Sequence, residues 1–543
     1  MEISTVKRLE KEAIKGSGFD FIRLGMGLFF MVAVLSYSFL STGGIPNNMF
    51  LAIAALFGAY MAMNIGANDV ANNVGPAVGS KALTMGGAIV IAAIFEAAGA
   101  LIAGGEVVQT IKNGIIDISA FGTHTESFIW AMMAALLSAA LWLNIATMMK
   151  APVSTTHSIV GGVMGAGIAA AGFSIVSWGT MGKIALSWII SPVLGGVIAA
   201  IFLFSIKKTI VFKPNKIEAA TKWVPVFVAI MSWAFVTYLT LKGLKKIWPN
   251  VVELFTFLPQ TDKPSFMVAS TMGIIVAIIV YFIVIKSVKR KANKIDNSRG
   301  GINILFTIPL IFSAALLSFA HGANDVANAI GPLAAIHDAV MTGGITTNAG
   351  IPLWVMAVGA VGIALGLALY GPKLIRTVGS EITELDQMRA FSVAMAASLT
   401  VILASQLGLP VSSTHIAVGG IFGVGFLREY LQLTEKKDII ALGQEAVDDE
   451  KKVLKALNAE LKHLDDKKDK KKDDYQRVVK LYQMIDEEED KIKEAKKDLK
   501  QAQKVQYVKR DAIKKIIAAW VITVPAAAIL SAAIYFMIRG IVL

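Results

Sequence analysis

The chain has 543 residues, 55% of them hydrophobic, and a mean hydropathy of +0.63. Because soluble domains are usually about 45–50% apolar, this composition excludes a soluble enzyme and predicts an all-α polytopic membrane protein. The net charge of +13 fits basic loops at a membrane surface better than a nucleic-acid site, and the absence of cysteine excludes disulfides and zinc–thiolate sites.

The apolar segments come in lengths of about 20 residues, enough for each to cross a bilayer. The first 20 residues are polar and basic, which predicts no cleavable signal peptide. In chain order, about thirteen crossings are predicted, at 21–43, 48–73, 88–107, 128–148, 153–175, 183–204, 222–241, 266–286, 304–330, 353–371, 388–406, 410–428 and 514–538.

Two motifs occur twice in the chain. GANDVAN stands at 66–72 and 322–328, and PVSTTH at 152–157 recurs as PVSSTH at 410–415. The two offsets, 256 and 258 residues, are nearly equal, which indicates an internal duplication. Counted through the crossings, each half has about five and the halves run in opposite senses. We therefore expect inverted-topology repeats with broken helices.

The pattern divides the chain into six predicted parts. They are 1–47, a tail and an extra crossing; 48–206, repeat 1; 207–303, a linker with two crossings; 304–430, the first part of repeat 2; 431–512, a charged insert; and 513–543, the last crossing of repeat 2. Leu454, Leu457, Leu461 and Leu464 in the insert predict a coiled-coil-like helical hairpin with a polar turn at 465–470. A solvated charged linker is the alternative.

Basic loops predict the orientation in a plasma (inner) membrane, with the N-terminus and the insert cytoplasmic and the C-terminus outside. The lysines at 242, 245 and 246 are an exception on the outer side. The count requires 153–175 and 410–428 to cross once each. If the first returned to its own side, the basic cluster at 286–299 would be extracellular.

Asp and Asn in the heptapeptides lie inside apolar runs, where an ionisable residue marks a functional site. Carboxylates with amide oxygens suit a hard cation such as Na⁺, whereas a soft metal prefers sulfur or imidazole. A proton is the other candidate, and simple capping of broken helices is the structural alternative. The predicted cation-binding residues are Asn68, Asp69, Asn72, Asn324, Asp325 and Asn328.

Hydroxyl side chains follow the proline of the second motif in both copies. A helix start with free N–H groups beside Ser and Thr donors can bind an anion, and two such starts could hold one tetrahedral oxyanion from opposite sides. Capping or packing between membrane helices is the alternative. The predicted anion-binding residues are Ser154, Thr155, Thr156, Ser412, Ser413 and Thr414.

Charge balance connects the two sites. Neither motif pair contains Lys or Arg, so an anion there would meet two carboxylates and no cationic residue. Cations must therefore enter with the anion, which predicts symport. His157 and His415 either relay protons, donate to the anion or, as we prefer, pack between helices with bonds to the backbone. Glu96 either lines the path or pairs with a neighbouring helix.

The paired motifs resemble the signatures of the inorganic phosphate transporter (PiT) family, the sodium/phosphate cotransporter group. Stretches at 95–96, 114–117, 361–363 and 520–525 are also similar to it. The resemblance implies a membrane symporter without enzymatic activity or cofactor, which takes up inorganic phosphate by alternating access between the repeats, often as a homodimer. The intact GAND in both copies favours Na⁺ over H⁺ as coupling ion. The extra first crossing and the late insert depart from the family pattern.

Three other functions agree with only part of the sequence. A sulfate permease would share the architecture, but sulfate has no proton to donate to an Asp, whereas phosphate keeps one or two. An intramembrane aspartyl hydrolase would use Asp69 and Asp325 as a dyad, which leaves the duplicated Asn and Ser/Thr neighbours without a role. A passive anion channel would conduct without dependence on a cation.

Overall fold

The computed structural model describes residues 3–149, 153–255, 258–345, 350–381, 385–435, 437–467, 471–503, 508 and 510–543. Pro152 and residues 468–470 of the predicted polar turn lie outside the described residues. Within the described ranges the protein is helical, apart from turns and one isolated antiparallel bridge between Ile116 and Val176. The chain forms two compact units, Met1–Val424 with Arg510–Leu543, and Gly425–Lys509.

The helices follow the apolar segments of the sequence. The first half contains α1 Ile3–Ser41, α2 Asn48–Asn68, α3 Val70–Gly79, α4 Met85–Ala103, α5 Gly105–Gln109, α6 Thr125–Met148, α7 Thr155–Ala171 and α8 Trp178–Ile206. The linker contains α9 Lys216–Gly243, α10 Trp248–Leu254, α11 Phe266–Ala292 and α12 Arg299–Leu305. The remainder contains α13 Thr307–Thr342, α14 Leu353–Glu381, α15 Gln387–Gln406, α16 Ser413–Glu435, α17 Lys437–Asp465, α18 Lys472–Gln503 and α19 Arg510–Val542.

Eleven helices in the described ranges are long and apolar enough to cross a membrane, which confirms a multi-pass protein. The predicted segments 153–175 and 410–428 are not among them. Helix α7 has 17 residues because it begins after Ser154 and ends at Gly172, which has a φ of 82°. At about 1.5 Å per residue it extends about 25 Å, less than the roughly 30 Å apolar core of a bilayer. Helix α16 starts at Ser413 and reaches its first charged residue at Arg428, so its apolar part is also short.

Glycines bring several pairs of helices into backbone contact, among them α2 with α14 and α4 with α13. A Cβ on Gly66 would overlap the carbonyl oxygen of Ile363, and a Cβ on Gly322 would overlap that of Glu96. Gly66 and Gly322 are the first residues of the two heptapeptides. The close approach therefore requires glycine there, and it places the polar residues that follow deep inside the helix bundle.

In the second unit, α17 and α18 pack against each other as the predicted hairpin. Leu457, Leu461 and Leu481 form its buried core. Arg477 on α18 makes a two-pronged contact with Glu460 on α17, at 2.8 Å and 3.1 Å. The leucine spacing in the sequence therefore predicted the packed face of α17 correctly.

Candidate functional site

The backbone at the two heptapeptides differs. In the first copy the helix is interrupted at Asp69 alone, whose N–H still bonds to the carbonyl of Ile65 at 2.9 Å. In the second copy α13 continues through residues 322–328 and past Pro332. The expectation of a broken helix is therefore wrong for the second copy. Its Asn324 side chain bonds to neighbouring segments, so it does not compete with the helix for backbone partners.

Asp69 lies between the two hydroxyl runs. Thr155 Oγ1 donates to Asp69 Oδ2 at 2.6 Å, and Thr414 Oγ1 donates to Asp69 Oδ1 at 3.3 Å. Asn72 Nδ2 donates to Thr414 Oγ1 at 2.8 Å. All four side chains are buried. The first heptapeptide thus contacts both copies of the Ser/Thr motif.

The second heptapeptide reaches the same hydroxyls. Asn328 Nδ2 donates to Thr155 Oγ1 at 3.2 Å and to Thr156 Oγ1 at 3.1 Å. Ser413 Oγ donates to Asp325 Oδ2 at a longer 3.4 Å. Thr155 therefore bonds to both an Asp of the first heptapeptide and an Asn of the second. The four motif copies form one buried polar cluster.

Two predicted residues take a lesser part in this cluster. Asn324 uses its amide for structure, donating to Ser405 Oγ at 3.0 Å and accepting from the N–H of Val411 at 3.3 Å. Asn68 is half-buried, and its Nδ2 has no hydrogen-bond partner among the described residues. The structure therefore brings ten of the twelve predicted cation- and anion-binding residues, all except these two, to the cluster or to the helix starts beside it.

The starts of α7 and α16 meet at this cluster. Ser154 Oγ accepts from the N–H of His157 at 3.2 Å, and Ser412 Oγ accepts from the N–H of His415 at 3.3 Å. Thr156 Oγ1 donates to the carbonyl of Val411 at 3.0 Å and connects the two starts. Both serines are thus helix caps, and neither hydroxyl donates to an acceptor among the described residues, so each can donate to a ligand.

His157 and His415 pack as a pair behind the caps. Their ring centroids are 4.6 Å apart, with Trp188 3.9 Å from the first ring and Trp520 3.6 Å from the second. The ring nitrogens of His415 have no hydrogen-bond partner among the described residues. The packing role we preferred matches this geometry, but His415 lacks the backbone bond that we expected.

Glu96 pairs with a neighbouring helix through a residue that the sequence reasoning missed. His321 Nδ1 lies 2.7 Å from Glu96 Oε2, and Asn73 Nδ2 donates to Glu96 Oε1 at 2.8 Å. His321 Nε2 lies 2.8 Å from Asp325 Oδ2, an ion-pair distance without good hydrogen-bond alignment. A buried chain of three ionisable groups therefore leads from α4 to the second heptapeptide.

This chain has no counterpart in the other half. His321 precedes the second heptapeptide at the position where Ile65 precedes the first. The backbone contact that Glu96 makes with the second heptapeptide is made with the first by Ile363. Both isoleucines are buried. A histidine that replaces an isoleucine between otherwise matched motifs is the sequence signal that would have found His321.

The cluster fits a hard cation better than a soft one. Asp69, His321 and Asp325 each place one ligand atom within 4.8 Å of the others. Asp325 Oδ1 and Asn328 Oδ1 are buried and have no hydrogen-bond partner among the described residues. Unpaired oxygens of this kind suit Na⁺. Both nitrogens of His321 already face carboxylates, so His321 is better placed to balance charge than to bind the ion.

A second buried ion pair lies outside the predicted set. Lys112, in the π-helical turn Thr110–Gly114 that follows α5, contacts the carboxylate of Asp338 near the end of α13. Both side chains are buried. The pair fastens this turn to the helix that carries the second heptapeptide. It was missed because neither residue belongs to a repeated motif.

Comparisons with known proteins agree on one family. The chain matches the model described as "Phosphate transporter family" over residues 65–531. A protein of Helicobacter pylori named "Putative phosphate permease" is 48% identical over 544 residues, 98% of each chain. A relative of the same description from Pyrococcus abyssi is 38% identical over 378 residues, 70% of this chain and 89% of its own. The solved structure of "The sodium-dependent phosphate transporter" matches with a TM-score of 0.69 and 31% identity, covering 91% of this chain and 99% of that one.

Proposed function

The chain belongs to the phosphate transporter family, and we propose that it is a secondary active symporter that takes up inorganic phosphate together with Na⁺. It is a multi-pass membrane transporter and not an enzyme. The main support for a single coupled site is Thr155, which bonds to Asp69 and Asn328 at once. This residue joins the proposed anion-binding and cation-binding motifs.

Phosphate is proposed to bind where α7 and α16 begin. The first N–H groups of a helix have no partner within it, and the positive end of the helix dipole favours an anion. Hydroxyls of Ser154, Ser412 and Thr156 lie beside these groups. A protonated phosphate oxygen can also donate to Asp69, which sulfate cannot do. This difference favours phosphate over a sulfate permease of the same architecture.

Coupling follows from the charges around that position. Asp69, Asp325 and Glu96 supply three carboxylates, and His321 supplies at most one positive charge, so the ionised cluster carries −2. An anion would be repelled unless cations entered with it. Na⁺ is proposed because unpaired oxygens lie in the cluster and because the matched solved structure is of a sodium-dependent transporter. The buried Glu96–His321–Asp325 chain makes H⁺ the second candidate.

The transport cycle is proposed to be alternating access around a fixed site between two inverted repeats. The matched glycine contacts of α2–α14 and α4–α13 support such a repeat. The proposed orientation keeps the N-terminus and the hairpin insert cytoplasmic and the C-terminus outside the inner membrane. It still depends on single crossings by α7 and α16, together with the segments that flank them. A homodimer is proposed from the family resemblance alone.

The test is uptake of labelled phosphate into proteoliposomes at fixed pH. An inward Na⁺ gradient is compared with an inward H⁺ gradient in K⁺ buffer, each with excess unlabelled sulfate. We expect uptake that is driven by Na⁺ and insensitive to sulfate. Uptake driven only by H⁺ would keep the substrate and replace the coupling ion. Transport of sulfate instead of phosphate would overturn the substrate assignment, and uptake without either gradient would indicate a channel.

The phosphate site has a separate test in Ser154→Ala combined with Ser412→Ala. We expect the phosphate KM to rise while the Na⁺ dependence keeps its shape. Ser265→Ala is the matched control because Ser265 also caps a helix, α11, through the N–H of Val268 at 3.3 Å. Each lost cap costs about 1 kcal/mol of stability. An unchanged phosphate KM would make Ser154 and Ser412 structural caps only.

A further inference from the structure

A cavity of about 600 Å³ lies at one membrane boundary, away from the buried cluster. It is formed by the segment that follows α8, the start of α9 and the last turns of α11. Three membrane-crossing segments have ends at this place, at Val211, Lys216 and Ala292. The cavity therefore opens where the apolar layer of a bilayer gives way to headgroups.

The cavity is positively charged. Lys213, Lys222 and Lys289 line it, all three are exposed, and they form no ion pair within the described ranges. The one carboxylate of the lining is Glu218, whose Oε2 accepts from Asn215 Nδ2 at 2.9 Å. Three lysines against one glutamate leave a net charge of +2. An ammonium group on a flexible stem binds phosphate oxygens as a point charge.

The walls of the cavity are fixed by hydrogen bonds. Asn297, in the loop that follows α11, accepts from the N–H of Lys216 at 2.8 Å and of Ile217 at 3.2 Å. It also donates to the carbonyl of Pro214 at 3.0 Å. The loop is thus fastened to the start of α9. Because these N–H groups are occupied, a bound anion would be held by the lysine side chains and not by the end of the helix.

An apolar surface continues from the cavity toward the membrane centre. Tyr281, Ile285 and Lys289 line the cavity at a spacing of four along one face of α11. One and two turns further along this face come Ile278 and Ile274, which are 53% and 50% exposed. The face therefore passes from a cation through an aromatic ring to exposed isoleucine, which matches a phosphate headgroup with acyl chains. A free phosphate ion would use only the charged end.

We propose that this cavity binds a phosphoryl anion in the form of an anionic phospholipid headgroup, with the acyl chains along the exposed face of α11. Basic pockets between membrane helices are suited to such headgroups. The site is independent of the transport cluster, so its test does not require transport activity. A lipid bound in this cavity would connect the helix pair α9–α11 to the surrounding bilayer.

The experiment measures binding of fluorescent phosphatidylglycerol to the full chain in neutral detergent. Lys213→Gln, Lys222→Gln and Lys289→Gln are combined in one variant. The control combines Lys286→Gln, Arg290→Gln and Lys291→Gln. These residues carry the same total charge and lie near Lys289 at the end of α11, but they line a different groove. At about 1 kcal/mol, or about fivefold, for each basic residue near an anionic surface, we expect at least about a tenfold loss in the first variant. The control should stay within about twofold of the wild type.

Competition identifies the source of the phosphoryl group. Phosphatidylcholine with the same acyl chains should not displace the probe, and millimolar inorganic phosphate should not displace it either. Displacement by inorganic phosphate would reassign the cavity to the free anion and overturn the lipid. Equal losses in both triple variants would show general surface attraction and overturn the site. If the first triple variant does not fold, Lys289→Gln alone should lose about fivefold, and unchanged binding would likewise overturn the proposal.

Discussion

Replacing Asp69 by Asn should remove cation coupling while the protein remains folded. The change keeps the shape of the side chain, which accepts from Thr155 at 2.6 Å and from Thr414 at 3.3 Å. It removes one unit charge from a cluster whose ligand atoms lie within 4.8 Å of one another. Two unit charges about 4 Å apart interact by about 4 kcal/mol at an effective dielectric constant of about 20. The Na⁺ concentration for half-maximal uptake should therefore rise by about 10³-fold, at about 1.4 kcal/mol per factor of ten.

The assay is phosphate uptake into proteoliposomes over a series of Na⁺ concentrations, with elution volume and thermal unfolding measured on the same preparation. Asp117→Asn is the control, because the exposed carboxylate of Asp117 accepts from Ser119 in a loop and takes no part in the polar cluster. It should leave the Na⁺ dependence unchanged. If Asp69→Asn keeps a half-maximal Na⁺ concentration within about threefold of the wild type, the charge argument is wrong at this position.

Three further predictions concern stability. Lys112→Met should lower the stability by about 3–5 kcal/mol because it leaves the buried carboxylate of Asp338 with only the longer 3.4 Å contact to His337 among the described residues. Adding Asp338→Leu should recover much of this loss in thermal unfolding. A double variant no more stable than the single one would contradict this. Gly322→Ala should lower the stability by about 1–3 kcal/mol, because its Cβ would overlap α4. Gly86→Ala is the control and should be neutral, because no atom lies within 4 Å of the new Cβ. Equal effects of the two variants would refute the packing argument. Leu481→Ala should lower the stability of the hairpin by about 2–5 kcal/mol, because Leu481 is part of its buried core. Hydrogen exchange in α17 and α18 should become faster while phosphate uptake is preserved. Loss of uptake would show that the insert takes part in transport.

Much of the fold follows from the sequence because apolar length is a direct consequence of bilayer thickness. The ends of α7 could not be predicted in this way, since they depend on a serine cap and on a glycine with positive φ inside an apolar run. The continuous helix at the second heptapeptide was also missed. Gly and Asn permit a break but do not require one, and the outcome depends on which neighbours their side chains find.

The site was predictable as far as the two halves repeat. We expected the duplicated motifs to converge on one site, and Asp69, Thr155 and Asn328 do meet there. His321 was hidden by the same assumption, because the other half has Ile65 at that position. A comparison of the repeats for their differences, and not only for their identities, would have identified His321 as a candidate site residue.

The glycine contacts also restrict how the bundle can deform. Helices whose backbones touch through Gly66 or Gly322 have no layer of side chains between them that could be repacked. Sliding the helices of either pair by one residue would bring a Cβ against a carbonyl. The pairs α2–α14 and α4–α13 should therefore each move as one rigid unit. The compliant joints of the protein should then lie where these pairs meet α7 and α16, because the contacts there are made by the side chains of the polar cluster, such as Thr155 with Asn328. The side chains that bind the ligand would then also form the flexible contacts between helices, so ligand binding would directly change how these helices can move.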